Sequence, residues 1–412
     1  MLPRTSRKDS NEQIAPADIT TWILKYMRIG SFEFNLRELS GSLGDMGTFV
    51  PLAVGYIAVC GMEPAGILLM MGLANIATGL YYRLPIPIEP MKVIAAAAIA
   101  QQWPPSMILA SGFSMGIIWM LIAATGAASR VANLTPSAVV RGIQVALGIL
   151  LAIEAGKLLS TSWLLGGLGL AIGIGFRKCR HAPAAVVLVL LGVAIMMING
   201  TFSQVMSPEI TLPHLATFSL GEVWQSLVQA GFAQIPLTVT NATIATSCLI
   251  SSYWPERQVS PQRLSVSQGI MNLFSPFFGG MPMCHGAGGL AGQYYFGART
   301  GGTNIIEGII EIILGLFFAA SVAGLFASFP QAVTGTMLML VGFELIKFAR
   351  DVRGSRDTLA MAMTVAVSLA SNMAFGFLAG LLVNRMLPYM NTEKQHPKKP
   401  RQSPQRSSGN GE

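Results

Sequence analysis

The sequence predicts an all-α polytopic membrane protein. Three features indicate this fold class: 52% of the 412 residues are hydrophobic, only 11% are charged, and the mean hydropathy is +0.55. A soluble domain carries about 25% charged residues, so this chain has too little charged surface to cover a water-soluble globule. The same composition excludes an intrinsically disordered chain and, despite the net charge of +8, a nucleic-acid-binding protein.

The chain divides by composition into an apolar middle part and two polar ends. We assign residues 1–37 to an N-terminal segment, 38–388 to a transmembrane domain and 389–412 to a disordered tail, whose polar residues cannot build a core. A span needs about 20 residues, so with short loops the middle part has room for about 12 to 14 spans, of which we predict about 14, and for no separate soluble domain. The four cysteines include no CxxC pair, so we expect neither a metal site nor a disulfide framework, and no cofactor.

The basic residues predict on which side of the membrane each end lies. With the N-terminus inside and about 14 spans, nearly every Lys and Arg falls at the termini or in inside turns, including the run Arg177–Lys178–Arg180. Among the turns on the opposite side, only Lys157 is basic. By the positive-inside rule both termini are cytoplasmic, and the plasma membrane is the expected location. A re-entrant course of some weak segments stays open, but the even number of spans does not depend on it.

Two interrupted apolar segments lie at matching places in the two halves. Each has a proline-bearing extended piece followed by a helix of small residues, and Pro87 of the first lies 195 residues before Pro282 of the second. Such pairs are the best sequence pointer to a transporter's substrate site. With about seven spans per half, residues 38–200 and 225–388 form inverted repeats, and two half-helix N-termini meet near the midplane and favour an anion. The alternative that prolines and glycines merely kink two packed helices stays open.

Four stretches of the chain resemble the signatures of the molybdate transporter family, a branch related to the sulfate permease superfamily. They are LSGSLGDMGTFVPLAV (39–54), PIPIEPMKVIAA (85–96), AQIPLTVTNATIA (233–245) and FGGMPMCHGAGGLAGQYYFGARTGG (278–302). The resemblance implies seven-plus-seven inverted repeats with the core and gate subdomains of uracil permease. It also implies transport of molybdate or sulfate, and the 24 residues after Pro388 leave no room for the STAS domain of sulfate permeases.

Eight residues are the predicted ligands of the oxyanion. Lys92 and Val93 begin the first half-helix, and His285, Gly286 and Ala287 begin the second, so both groups offer main-chain N–H donors and Lys92 adds a positive charge. The remaining ligands are neutral donors at helical spacings of three, four and seven, which place them on one face: Gln234, Thr238 and Asn241.

Two carboxylates are the predicted proton-coupling groups. Asp45 lies inside an apolar span, where a charge is costly and usually functional. A structural role, as a helix cap or as a hydrogen-bond partner of the opposite broken helix, is its alternative. Glu89 replaces a glutamine that is often found in the family's first proline block, and whether it faces the site stays open. Glu307 and Glu311 share a helix face and have no assigned role.

The sequence thus predicts a proton-coupled oxyanion importer, with a sulfate or other anion permease of the same fold as the alternative. A membrane-embedded enzyme needs a nucleophile with a base or a metal triad inside the spans, and His285 has no suitably spaced carboxylate partner. Cys284–His285 has no second ligand cluster and so predicts no metal site. The expected partners are the oxyanion, protons and the lipid bilayer, and a homodimer stays open.

Overall fold

The structure is a computed structural model that describes residues 27–176, 184–200, 209–327 and 329–386. Residues 1–26 of the predicted N-terminal segment, the predicted tail 389–412 and the basic run Arg177–Lys178–Arg180 lie outside the described residues.

The described chain is helical nearly throughout, as predicted, apart from two short pairs of antiparallel strands. Strands β1 (Met27–Ile29) and β2 (Phe32–Phe34) form the first pair. The first half then contains α1 (Leu36–Ser42), α2 (Met46–Ala58), α3 (Pro64–Tyr82), β3 (Glu89–Pro90), α4 (Lys92–Gln101), α5 (Pro105–Thr125), α6 (Ala128–Leu134), α7 (Ser137–Leu159), α8 (Trp163–Gly175) and α9 (Ala184–Ile198).

The second half begins with one long helical rod that is interrupted by two π-helical turns, Leu227–Gly231 and Val239–Ile244. The α-helical parts of the rod are α10 (Leu220–Ser226), α11 (Phe232–Thr238) and α12 (Ala245–Tyr253). The chain continues through α13 (Pro261–Phe274), a 3₁₀ turn (Ser275–Phe278), β4 (Met283–Cys284), α14 (Ala287–Phe296), α15 (Gly302–Phe317), α16 (Ala319–Ala327), α17 (Gln331–Ile346), a 3₁₀ turn (Lys347–Asp351), α18 (Ser355–Ala370) and α19 (Met373–Met386).

Four helices in the described part of the chain are long and apolar enough to cross a membrane. They are α3, α5, α7 and the stretch Gln331–Asp351, and α15 with the first part of α16 makes a fifth if this pair, bent by 85°, counts as one span. Other apolar helices are shorter, such as α4 with 10 residues, which rises only about 15 Å. Helix length alone therefore does not test the predicted number of about 14 spans.

Three long helix pairs each join the first half of the chain to the second. Helix α3 packs along α15, α5 along α13, and α7 along α17. Small residues let the main chains touch: a Cβ atom added to Gly72 would lie 2.6 Å from the carbonyl oxygen of Gly308, and one added to Gly148 would lie 2.6 Å from that of Gly342. This is the close backbone approach that packs helices in a bilayer, where burying apolar side chains gives little driving force.

The two interrupted segments meet in the interior of the protein. Glu89 pairs with Cys284 and Pro90 with Met283 in the antiparallel pair β3–β4, and the N–H of Met91 donates to the carbonyl of Pro282 at 2.9 Å. Prolines before each helix hold the backbone extended, because they lack the N–H that a helix would use. Helices α4 and α14 follow the two strands, and each has 10 residues. The local structure predicted for both segments is therefore present.

Candidate substrate site

The N-terminus of α4 is capped by a side chain from the helical rod. Gln234, fully buried on α11, accepts hydrogen bonds through Oε1 from the N–H groups of Val93 at 2.8 Å and Ile94 at 3.2 Å. Its Nε2 donates to Thr238 Oγ1 at 2.5 Å. The structure brings these predicted residues together, but Gln234 already uses the Val93 donor that was predicted for the substrate.

The N-terminus of α14 holds a carboxylate of this chain. Glu89 is completely buried, and its side chain lies against the backbone of Gly286 and Gly289. A Cβ atom on Gly286 would overlap Glu89 Oε2, and one on Gly289 would lie 2.6 Å from Oε1. Glu89 therefore faces the site, at the position where a helix N-terminus attracts an anion.

Lys92 supplies the nearest positive charge. Its Nζ lies 2.9 Å from Glu89 Oε2, and 20% of its side chain is exposed. Glu89 Oε1 is buried and accepts no hydrogen bond from any described residue. Lys92 has two further N–H donors for an incoming anion, and the N–H of Ala287 at the start of α14 likewise carries no hydrogen bond to a described residue.

Both ring nitrogens and the carbonyl oxygen of His285 make hydrogen bonds. Its Nδ1 lies 3.1 Å from the carbonyl oxygen of Pro87, which can only accept, so Nδ1 carries the proton. Nε2 then accepts from the Ser267 hydroxyl at 2.6 Å, and the His285 carbonyl accepts from Thr246 at 2.8 Å. The side chain ties α13 to the first interrupted segment, so its ring is occupied in this structure.

Asn241 is, besides Lys92, a predicted ligand whose side chain stays available. It lies in the π-helical turn Val239–Ile244, is half-buried, and its amide makes no hydrogen bond to a described residue. A π-turn shifts the helical phase, so the regular 3.6-residue spacing that placed Asn241 on one face with Gln234 and Thr238 does not hold here. Thr240, by contrast, only donates back to its own helix, to the carbonyl of Pro236 at 2.9 Å.

Asp45 belongs to a second buried polar group beside the first. It precedes α2, makes no capping bond with its side chain, and accepts a hydrogen bond from Gln293 Nε2 on α14 at 3.3 Å. The same nitrogen lies 3.2 Å from Glu307 Oε2, while Glu311 Oε2 accepts from Asn75 at 2.9 Å. Asp45 thus contacts the opposite broken helix, as its structural alternative predicted, and the proton-coupling role stays a prediction.

Sequence reasoning overlooked the polar residues that connect these carboxylates. Gln293 ends the motif GGLAGQ, and Asn75 is the one asparagine in the apolar span Pro64–Tyr82. A buried amide in an otherwise apolar helix usually has a partner on another helix, and that rule would have identified both residues.

Glu38 was also overlooked, and it organises the turn that follows α14. It is fully buried, and its carboxylate accepts from the N–H groups of Arg299 at 3.0 Å and Thr300 at 3.1 Å and from the hydroxyl of Thr303. The guanidinium of Arg299 lies 3.7 Å from the centre of the Tyr294 ring. Arg299 therefore anchors this turn, as its position at the end of the motif indicates.

We predict that Glu38→Ala lowers the melting temperature of the detergent-solubilised protein. The substitution leaves three donors without their acceptor, and each buried unsatisfied group costs about 1–3 kcal/mol. Thermal unfolding measured by intrinsic fluorescence checks the prediction. Glu256→Ala, at an exposed position, is the control and should leave the melting temperature unchanged. Equal melting temperatures for the two variants would contradict this account of the turn.

Comparison with known proteins identifies the family. Residues 37–151 and 226–345 match the model "Molybdate transporter of MFS superfamily". The chain is 34% identical to Molybdate transporter 2 of Arabidopsis thaliana over 85% of its length and 87% of that protein, and 32% identical to Molybdate transporter 1 of the same plant over 89% and 91%. These relatives are named transporters, not enzymes.

A solved structure supports the fold. The transmembrane domain of a cyanobacterial bicarbonate transporter, BicA, superimposes with a TM-score of 0.64 at 18% identity, covering 84% of this chain and 97% of that one. The chain therefore has the fold of an integral membrane transporter domain, and its match over more than half of its length shows that it belongs to the molybdate transporter family.

Proposed function

We propose that the protein is a secondary active transporter that imports an oxyanion, most directly molybdate, together with protons. The observation that carries this proposal is the buried Glu89 carboxylate, which pairs with Lys92 at the N-terminus of α14. The carboxylate of Glu89 thus lies at a helix N-terminus, which is a place where an anionic substrate would bind. The names of the relatives in Arabidopsis supply the substrate class.

Anion binding at this place follows from local electrostatics. A helix N-terminus carries about half a positive charge and free N–H groups, and Lys92 adds a full charge. In our proposal the substrate accepts from Lys92, from Asn241 and from the N–H of Ala287. The Gln234 cap keeps α4 and the rod in register, and Thr238 holds the amide of Gln234 in place.

Proton coupling follows from the charge of Glu89. A dianion that approaches an ionised carboxylate in a low-dielectric interior is strongly repelled. A proton on Glu89 removes that repulsion and releases Lys92 to the substrate. Asp45, one contact away through Gln293 on α14, is the second proposed proton carrier.

The predicted inverted repeats are supported by the helix pairs and by the spacing of the half-helices. In the proposed topology, α3 and α5 are the second and fourth segments of repeat 38–200, and α13 and α15 are their counterparts in repeat 225–388. A two-fold relation exchanges α3 with α13 and α15 with α5, so it converts the contact α3–α15 into the contact α13–α5. Both contacts are present. Helices α4 and α14 also start 195 residues apart, at Lys92 and Ala287.

We infer from this relation about 14 segments, with both termini on the cytoplasmic side of the plasma membrane. Core and gate subdomains then alternate access to a site at the half-helices. The homodimer stays a prediction.

The direct test is uptake of labelled molybdate into proteoliposomes that contain the purified protein, with and without an inward proton gradient. We expect uptake that the gradient stimulates and that excess sulfate barely reduces. Complete competition by equimolar sulfate would assign a sulfate-type permease instead. An absence of uptake for both anions would contradict the proposal.

We further predict that Asp45→Asn abolishes gradient-driven accumulation but keeps molybdate exchange at equal pH on the two sides. Asparagine is nearly isosteric and still accepts from Gln293, so the site stays assembled while one proton carrier is lost. The measurements are accumulation and exchange in the same proteoliposomes. Asp357→Asn, at a carboxylate of α18 that accepts a hydrogen bond from Asn384 Nδ2 at 3.3 Å, is the matched control. Equal pH dependence in wild type and Asp45→Asn would remove Asp45 from the coupling mechanism.

A further inference from the structure

We propose that Glu307 and Glu311 of α15 form, with Asp45, a buried proton store that supplies a further proton to each transport cycle. This inference rests on the proposed function, because it assumes transport that is driven by protons. The store lies beside the substrate site, and neither glutamate makes a hydrogen bond or an ion pair with Lys92 or Glu89.

The store consists of buried polar groups that are joined by hydrogen bonds and, on α15, by helical spacing. Gln293 Nε2 serves both Asp45 Oδ2 at 3.3 Å and Glu307 Oε2 at 3.2 Å. Glu311 lies one helical turn after Glu307 on the same face of α15 and accepts from Asn75 Nδ2 at 2.9 Å. Each of these carboxylates is at most 3% exposed.

The chain continues from Glu311 to the first interrupted segment. Asn75 Oδ1 accepts from Asn304 Nδ2 at 2.9 Å, and the same nitrogen donates to the carbonyl of Ile86 at 2.7 Å. Ile86 lies three residues before Glu89, in the extended piece that leads into β3. A change of charge on Glu311 therefore reaches the backbone that positions Glu89.

Unpartnered acceptors point to protons as the ligand. Gln293 Oε1 and Asn304 Oδ1 are buried and accept no hydrogen bond from a described residue, although both amides are in the chain of contacts. One oxygen of each carboxylate is likewise buried and makes no hydrogen bond to a described residue: Asp45 Oδ1, Glu307 Oε1 and Glu311 Oε1. Buried acceptors are nearly always satisfied, and a protonated carboxyl group is the donor that this cluster lacks.

The surrounding charges also indicate that the carboxylates of the store hold protons. The charged groups that face the store are Glu89 and Lys92, which are paired with each other. Helix α3 contributes the neutral Asn75, and α14 the neutral Gln293. Among the described residues, no unpaired cation therefore balances the three carboxylates, and uncompensated buried charges are costly.

A metal ion fits the arrangement poorly. Within the described ranges, no group of three His, Cys, Asp or Glu residues could hold one. Asp45 and Glu307 share the amide of Gln293, and Glu311 accepts from the amide of Asn75, whereas a metal would need all three carboxylates to converge on one point.

Steady-state accumulation in proteoliposomes tests the store. One proton moving down a gradient of about one pH unit supplies about 1.4 kcal/mol, which is tenfold in accumulation. We therefore expect Glu307→Gln and Glu311→Gln each to lower molybdate accumulation about tenfold, with molybdate exchange at equal pH close to that of wild type. Glu154→Gln, at a buried carboxylate that pairs with Lys157 on α7, is the matched control and should accumulate normally.

Aspartate variants cover the case in which a glutamine variant fails to fold. Glu307→Asp and Glu311→Asp keep the titratable group and should restore accumulation, and failure of well-folded aspartate variants to accumulate would overturn the proposal. Wild-type accumulation in both glutamine variants would also overturn the proposal. Accumulation that follows a sodium gradient and depends on Glu311 would overturn it as well. If wild type itself ignores the proton gradient, the proposed coupling fails, and the store fails with it.

Discussion

Gly286→Ala is expected to abolish molybdate uptake. The added methyl group would overlap the buried Glu89 carboxylate, which Lys92 holds in place. Gly286 has φ −68°, a value that alanine adopts without strain, so the backbone itself tolerates the change. The carboxylate or the start of α14 has to move, and either movement disrupts the proposed anion site. We expect uptake to fall at least about tenfold, since about 1.4 kcal/mol of lost binding already gives that factor.

Initial rates of labelled molybdate uptake measure this effect. Gly167→Ala on α8 is the control, because its Cβ atom would meet nothing within 4 Å. The double variant Gly286→Ala with Glu89→Ala removes the overlap but also the titratable carboxylate, so proton-driven uptake should not return. Normal uptake by Gly286→Ala would show that the contact between Glu89 and α14 does not matter for transport.

Lys92→Met is expected to destabilise the protein and to abolish uptake. Glu89 is completely buried, and Lys92 is the cation paired with it at 2.9 Å. Removing one partner of a buried ion pair costs about 3–5 kcal/mol, because the other charge remains without compensation. The anion site also loses its one full positive charge, so we expect no uptake even where the protein folds.

Thermal unfolding and uptake of the double variant separate these two effects. Lys92→Met combined with Glu89→Gln removes both charges and should recover most of the stability but no uptake. Lys157→Met is the matched control, because Lys157 also pairs three residues away, with Glu154 at 2.8 Å, but is 65% exposed. A smaller loss is expected there, since a cation in contact with water contributes less. Recovered uptake in the double variant would remove Lys92 from the binding site.

The sequence predicted the local shape of the site because that shape depends on near neighbours. Pro85, Pro87 and Pro90 cannot continue a helix, and the alanines after Lys92 favour one, so an extended piece followed by a half-helix is fixed within about a dozen residues. The matching of Pro87 with Pro282 extended this reasoning to the second half. The family resemblance, which rests on the same blocks, is confirmed.

The contacts across the two halves could not be predicted in the same way. Nothing near Glu89 in the sequence indicates that its carboxylate would touch Gly286, because that contact depends on how β3 pairs with β4. Gln234 was assigned to the substrate from residue type and spacing, whereas the structure shows it capping α4. The π-turn around Asn241 has no signal in a hydrophobic pattern, since one inserted residue shifts the phase without changing composition.

The glycine contacts between paired helices restrict how the molecule can move. Where Gly72 meets Gly308, and where Gly148 meets Gly342, main chain presses on main chain, so neither helix can rotate about its own axis or slide past its partner without steric collision. We therefore expect each helix pair to move as one rigid body. Any displacement during transport is then expected at the seams between pairs, where side chains meet and can exchange rotamers. Gln293 bridges one such seam, with Asp45 beside α2 on one side and Glu307 of α15 on the other.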